Sequence, residues 1–442
     1  MSSLQDLHLE CNNRIKINFN GGELSSDSGL LLLYEYINKL KIPSIIAENF
    51  STDTKQRIHS DSSILMQRIF QNIAGYFQDD DADELAFDPI FTQILSKERL
   101  ASQPTISRFM NRLDDICIVQ MDVLHQLLRE KIYSYEQPQQ IILDVDSTSF
   151  TTYGSQEGSS YNTHYQNVGY HPLLVFDGLT KDLLKAELRP GNTYTSKDAH
   201  NFLYPLLLEY MDNYPDTQLF LRGDSGFADV MLYEKLETNG VSFAIRMKES
   251  ARLRKMVEGD VYDFMESLNN NLVDYACTYT EFMYAADSWA YPRRIVCKIE
   301  KPYGVMVANY TFIVTNMEIP AQDILRFYCN RGTMENMIKE AKLGFHMNAM
   351  PNHDFITNQN RLQINMLTYN IFNWFRRMVL PKKMRHLQVD TIRLKLIKIA
   401  ARLTKKSRYL IFKLCSSCPY KNEFNEVLSK IHSLRPLQRL LE

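Results

Sequence analysis

The order of apolar segments predicts a mixed α/β fold. Between residues 140 and 248 three strand-like runs follow one another, and then helix, strand, helix and strand alternate. Two further observations place other material around that core. Helical periodicity prevails up to residue 136, and from about 255 to 318 strand-like runs such as YACTYTEFMY and NYTFIVTN replace it, as in an insertion. The expected division is therefore 1–136, mainly helical; 137–250, first part of the core; 251–318, a β-rich insertion; 319–380, last part of the core; and 381–442, a basic helical region.

Each element has a local reason. RIKINFN at 14–20 alternates as a short strand, and Gly21-Gly22 closes it. Ser26 or Asp27 is placed to cap a helix through LLLLYEYINKL, ending near Pro43. Ile64, Leu65, Ile69, Ile73 and Tyr76 recur at helical spacing. QDDDADELAFD carries six acids in eleven residues, which reads as an acidic helix start favoured by the macrodipole. QPTISRFMNRL at 103–113 has Pro104 in a first helical turn and Ser107, Arg108, Asn111 and Arg112 on one flank. With a helix before it around 83–95, it resembles the second helix of a helix-turn-helix whose small polar and basic side chains read DNA. A helix over 116–136 closes the region.

The core opens with QIILDVDSTSF, an apolar, β-branched strand that delivers Asp144 and Asp146 to its carboxyl end, where open α/β sheets place ligands. In extended chain both carboxylates face the same side. Asp146 is the chosen ligand because Ser147 and Thr148 leave space and hydrogen bonds around it; Asp144 stays open. Strands PLLVFDG and DLLKAELRPGN follow, then a helix over 197–213 in which Pro205 is expected to kink or break the pattern. TQLFLRGDSGF is a strand ending in Asp224, FADVMLYEKLE a helix and VSFAIRMK another strand. In the β-rich stretch, Trp289 in AADSWAYPRR is placed at a hairpin tip where it could stack on an unpaired base.

Tyr328, Arg331, Glu335 and Lys342 stand at offsets 0, 3, 7 and 14. At about 100° per residue in one continuous helix they point within roughly 60° of each other, a face suited to gripping phosphates beside a metal ligand. An apolar helix with arginines follows over 361–380, then a basic helix and a possible strand. From Arg361 to Lys413 there are fourteen Lys and Arg against one acid, Asp390, although the formal net charge is only -2. So basic a block argues for a polyanionic partner, with Arg393, Lys395, Lys398, Arg402, Lys405 and Lys406 tracking a phosphate backbone.

Seven scattered cysteines suit a reducing compartment, the N-terminal residues lack a signal-peptide pattern, and no window approaches 18 apolar residues, so a cytoplasmic protein with no membrane partner is expected. Cys415 and Cys418 form a CxxC without a second pair at zinc-finger spacing.

Asp146, Asp224 and Glu335 are all oxygen donors, and hard oxygen ligands suit Mg²⁺, with Mn²⁺ as substitute, better than zinc. Two such ions would serve in-line displacement at phosphorus, which is nuclease or strand-transfer chemistry.

Asp146-Ser-Thr, Asp224 within LRGDSGF, and the Y-x2-R-x3-E-x6-K signature met by Tyr328, Arg331, Glu335 and Lys342 resemble the DDE transposases of bacterial insertion sequences. SSDSGLLLL, NIAGYFQDDDADEL, FDPIF, LASQPTISR and LRPGN resemble the insertion-sequence family thirteen-eighty within that group. The likeness runs from about residue 17 to 420. It implies a ribonuclease H-like core with a β insertion before the last acid, cleavage of double-stranded DNA at inverted repeats, and attack of the freed 3′-hydroxyl on a target, in some relatives through a hairpin on the element's end. It also implies that Tyr328, Arg331 and Lys342 hold phosphates, and the need to bring two ends together implies a homodimer. The alternatives are a host-recruited DNA-binding protein that kept the fold and lost transposition, and a carboxylate-pair hydrolase acting on a small substrate without metal.

Overall fold

The computed structural model describes residues 7–268, 274–305 and 307–437. Among them the chain divides into two compact units, one from Met1–Glu136, Lys342–Met347 and Gln363–Glu442, the other from Gln137–Ala341 and Asn348–Leu362.

The first unit begins with helices. The helix expected before Pro43 is Leu30–Lys39, and a further helix, Ile42–Asn49, follows with Pro43 in its first turn, where a missing N–H costs nothing. Asp27 does not cap the first. Its buried carboxylate instead pairs with Lys398 at 2.6 Å and accepts from the Tyr76 hydroxyl at 2.8 Å. Helix α1 (Asp61–Ala74) is capped by Ser60, α2 spans Gln103–Met110, and α3 (Asp115–Tyr133) is capped by Asp114.

The second unit is built on one eight-stranded sheet. Its first strands are β1 (Gln140–Ser147), β2 (Leu173–Asp177) and β3 (Leu183–Glu187), which pair antiparallel in that order. Helix α4 (Ala199–Asn213) continues through Pro205, whose missing N–H removes one rung without ending it. Then come β4 (Gln218–Gly223), α5 (Val230–Thr238) and β5 (Ser242–Met247); β4 lies parallel to both β1 and β5. The expected loss of helical pattern after 250 is delayed by two short helices, Ala251–Met256 and Glu258–Ser267. Strands β6 (Ala276–Tyr284), β7 (Arg293–Lys301) and β8 (Asn309–Thr315) then extend the same sheet from the edge of β5 instead of forming a separate one. Helix α6 (Ala321–Cys329) packs Ile324 and Leu325 against Ala244, Val296 and Ile313 of this sheet.

The signature does not lie on one uninterrupted α-helix. A 3₁₀ turn at Asn330–Gly332 separates α6 from α7 (Thr333–Phe345), so Tyr328 and Glu335 belong to different helices and the 100° arithmetic across them does not hold. The chain continues into α8 (Phe355–Val379). Beyond residue 363 this helix buries Asn365, Thr368, Asn370 and Asn373 among its apolar residues. Asn365 meets Asn72 of α1 at 3.1 Å, so the helix expected to be apolar carries a polar ladder. The basic stretch after it is only partly helical. Val389–Ile392 and one π turn at Arg393–Ile397 lead into a β-hairpin of β9 (Ala401–Lys406) and β10 (Tyr409–Leu414), whose alternation of basic and apolar residues is strand period, not helix period. No helix among the described residues is long and apolar enough to cross a membrane.

One buried ion pair ties the second unit's sheet to the helix above it. Arg222 on β4 donates from Nε and Nη2 to both oxygens of Asp144 on β1, each at 2.6 Å, and from Nη1 to the Phe327 carbonyl of α6 at 2.7 Å. Both side chains are almost wholly buried. Burial pushes the Asp144 carboxyl up from its ordinary value, and the Arg222 bonds oppose that rise. Gly178 is glycine because a Cβ there would stand 2.6 Å from Arg222 Nη2 and Asp144 Oδ2. Replacing Arg222 by Met leaves Asp144 buried without a partner and is expected to cost about 3–5 kcal/mol, read as a lower urea midpoint. Adding Asp144→Asn should recover much of that loss; additive losses would contradict the pairing.

Candidate active site

The register of β1 and β4 sets the site. Gly223 stands opposite Val145 in the parallel pair, so Asp224 and Asp146, each one residue further, leave adjacent strands level with each other. Neighbouring strands run about 5 Å apart, and the two charges act on each other. Burial pushes the Asp146 carboxyl up to about 6; Arg331 opposes the rise and the Asp224 charge adds to it. Asp224 also caps the 3₁₀ turn Ser225–Phe227 by accepting from the Gly226 N–H at 2.9 Å, which fixes its carboxylate at the strand end.

Asp144 and Asp146 share a strand face but have different surroundings. Asp144 has no exposed surface and holds Arg222 with both oxygens, whereas Asp146 retains 18% side-chain exposure. Only Asp146 is available to a ligand.

Arg331, in the 3₁₀ turn, donates from Nη2 to Asp146 Oδ2 at 2.9 Å and to the Val145 carbonyl at 3.0 Å. Its own pKa is governed by burial, which lowers it, against the stronger combined pull of Asp146, Asp224 and their neighbours, which raises it. Tyr328, at the end of α6, is half-buried against the sheet cluster, and burial raises its phenol. Glu335 is exposed in the first turn of α7, and Lys342, on the same helix, belongs to the first unit. Among the described residues no group of three or more His, Cys, Asp or Glu is arranged so that it could hold a metal ion. The carboxylates the structure brings together are Asp146 and Asp224; Glu335 is not gathered with them.

Around this pair stand residues that motif reading missed. Tyr165 donates its hydroxyl to the Ser147 carbonyl at 3.2 Å, and its phenol is pushed up to about 12 by burial and then by the Asp146 and Asp224 charges. His171 is buried and holds the Thr193 carbonyl with Nδ1 at 2.7 Å, which requires the proton on that nitrogen. Thr195 meets Ser147 at 3.0 Å. Arg189, the arginine of LRPGN, is buried and donates from Nη1 to the carbonyls of Tyr194, Thr195 and Lys197 at 3.1–3.3 Å, clamping the loop that delivers Thr195. The available signal was the polar, tyrosine-rich stretch from 153 to 171, which has no core periodicity.

The family model described as Transposase DDE domain group 1 matches residues 7–436. The chain belongs to that family. It is an enzyme of DNA transposition that cuts DNA and transfers strands, and enzymes of this family generally use divalent metal ions. No curated protein sequence matches it. Among solved structures, the cryo-EM structure of a piggyBac transposase synaptic complex with hairpin DNA aligns at a TM-score of 0.44 and 12% identity, over 84% of this chain and 80% of that one.

Other residues singled out in this transposase have internal work. Trp289 is half-buried, edge-on to Tyr233 and Tyr284 at 5.6 Å each, with the Arg293 guanidinium 5.2 Å from its ring, so its packing is explained without a base. Arg112 is tied to Asp61 at 2.7 Å and to the Thr52 hydroxyl, whereas Arg108 and Asn111 are exposed and Ser107 is partly so. The element before α2 is Pro89–Ile94, shorter than the helix expected there. Arg393 is buried, donating to the Ile73 and Asn72 carbonyls, and Lys398 is committed to Asp27; neither is free to track a phosphate.

Replacing Arg331 by Gln removes the charge that holds the Asp146 carboxyl down. In the metal-free protein, carboxyl-carbon NMR titration should place Asp146 above its present value of about 6. An unchanged or lower value would contradict the pairing.

Proposed function

We propose that this transposase cuts DNA at the inverted-repeat ends of an insertion sequence and joins the freed 3′-hydroxyl ends to target DNA, by cut-and-paste transposition with a hairpin intermediate on the element's end. The observation that carries the reading is the level pairing of Asp146 and Asp224 on adjacent parallel strands, with the signature arginine bonded to Asp146. The β1–β5 arrangement, three antiparallel strands and then two parallel ones with β1 between the sets, supports a ribonuclease H-like core. Full membership of insertion-sequence family thirteen-eighty is part of the proposal and rests on the motifs.

The donor set fits a hard divalent cation. It is all oxygen, and a cation between the two carboxylates would offset the burial and the Asp224 charge that raise the Asp146 carboxyl. Asp146 and Asp224 would hold it, with Glu335 as third ligand by its place in the signature. Mg²⁺ or Mn²⁺, two ions per site, would supply activation of the attacking oxygen and stabilisation of the leaving one.

The chain's own groups do the rest. Arg331 balances the carboxylate charge in the free protein, and its guanidinium suits a phosphate oxygen equally well, so DNA entry exchanges one anion for another. Tyr328 and Lys342 are also assigned to DNA phosphates. In the N-terminal region, expected to end at 136, the exposed Arg108 and Asn111 with Ser107 are assigned to DNA reading. Two element ends must meet for joining, and a homodimer provides one site for each.

Asp224→Ala or Glu335→Ala should abolish Mn²⁺-dependent cutting of a labelled inverted-repeat end while leaving its binding intact; cutting retained by either variant would defeat the proposal. A second test uses pH. With its carboxyl near 6, Asp146 must release a proton to bind a cation at lower pH. Mn²⁺ affinity measured by calorimetry should be flat above pH 7 and fall about tenfold per unit well below 6. A pH-independent affinity between 5 and 7 would rule out Asp146 as a ligand.

A further inference from the structure

The basic C-terminal segment, expected as a basic helix and a possible strand, folds into a β-hairpin. Strands β9 and β10 pair from Ala401↔Leu414 to Lys406↔Tyr409, and only Ser407 and Arg408 lie in the turn. The short strand Leu24–Ser25 flanks β9 only at Ala401 and Arg402. The Leu403 N–H still reaches the Glu23 carbonyl at 2.8 Å, and beyond that point the hairpin runs on as a two-stranded ribbon. An isolated two-stranded ribbon is marginal in water.

Its two faces differ. Ala401, Leu403, Phe412 and Leu414 share the face turned to the protein, Ala401 and Leu403 being buried. The other face carries Arg402, Thr404, Lys406, Tyr409, Ile411 and Lys413. Arg402 and Lys413 are directly opposed on this face, and like charges in that position destabilise a strand pair. Arg402 lies against the Gly22 turn, and Lys405, on the opposite face, is paired with Glu23 at 3.0 Å. Lys406, Arg408 and Lys413 are exposed and have no acidic partner among the described residues. At the tip Tyr409 is 70% exposed and Leu410 53%.

We propose that the β9–β10 hairpin is a DNA-binding ribbon that lies along duplex DNA, with Lys406, Arg408 and Lys413 on phosphates and Tyr409 reaching into the groove. A two-stranded ribbon fits the major groove, which is about 12 Å wide. Phosphates remove the repulsion that the open face otherwise carries, and neither the opposed cations nor the exposed apolar tip has a use in a free surface hairpin. The inference rests on the reading that this chain engages duplex DNA ends, and it assigns part of that engagement to a surface remote in sequence from the signature.

The test compares the parent with a Lys406→Gln, Arg408→Gln, Lys413→Gln triple variant. Affinity for a duplex carrying an element end is measured by fluorescence anisotropy in EDTA from 0.05 to 0.3 M salt. Each phosphate contact contributes about 0.9 to the slope of log affinity against log salt, so the slope should become shallower by about 2.7, with affinity down about a hundredfold near 0.15 M. Tyr409→Ala should weaken binding without changing the slope. All four positions are exposed, and an unchanged melting temperature will confirm that the fold is intact. An unchanged slope in the triple variant, with the parent binding normally, overturns the ribbon alone. A parent that binds no duplex overturns both the ribbon and the broader reading.

Discussion

The second unit is held together by the buried guanidinium of Arg222. A charge taken out of water needs compensation on every side, and Arg222 finds it in two strands and a helix: its own strand β4, Asp144 on β1 and the Phe327 carbonyl on α6. These elements carry Asp224, Asp146 and Tyr328. Because the bonds are short and directional, sliding β1 against β4 or lifting α6 would strip a buried charge of its partners. Arg222 thus fixes the geometry of Asp146, Asp224 and Tyr328.

Arg331 plays the complementary part on the exposed side. Arg222 is sealed, with both faces of Asp144 satisfied; Arg331 sits where Asp146 still meets solvent and holds only one of its oxygens. Two aspartates on one strand, two residues apart, each meet an arginine, one pair sealed from solvent and the other open to it. The carboxyl near 6 on Asp146 expresses the second arrangement, since burial and Asp224 together outweigh the single bond from Arg331.

Much of this was legible in the sequence, for identifiable reasons. The strands bearing Asp146 and Asp224 announce themselves as apolar, β-branched runs ending in an acid and small residues, and both acids emerge at adjacent strand ends. The choice between Asp144 and Asp146 was not decidable by pattern, because residues two apart share a face; only the place of Arg222 on the neighbouring strand separates them. The signature looked like one helical face, and the 3₁₀ turn at Asn330–Gly332 broke it, a change of three residues that periodicity over fifteen does not register. The basic stretch after 393 misled for another reason. Charge reveals a polyanionic partner but not a period, and the alternation of Arg402 to Lys406 is short enough to read either way. Arg393 and Lys398 went the same way, since a buried cation paired with a buried acid or carbonyl looks no different in sequence from an exposed one.

Asp146 and Asp224 are proposed as the cation-binding pair, while Asp144 serves the fold. A crystal structure of the protein soaked with Mn²⁺, with the metal located by its anomalous scattering, tests this most directly. Manganese should be bonded to carboxylate oxygens of both Asp146 and Asp224, with Asp144 still held by Arg222. Manganese bound to Asp144, or absent from this pair at saturating concentration, would contradict it.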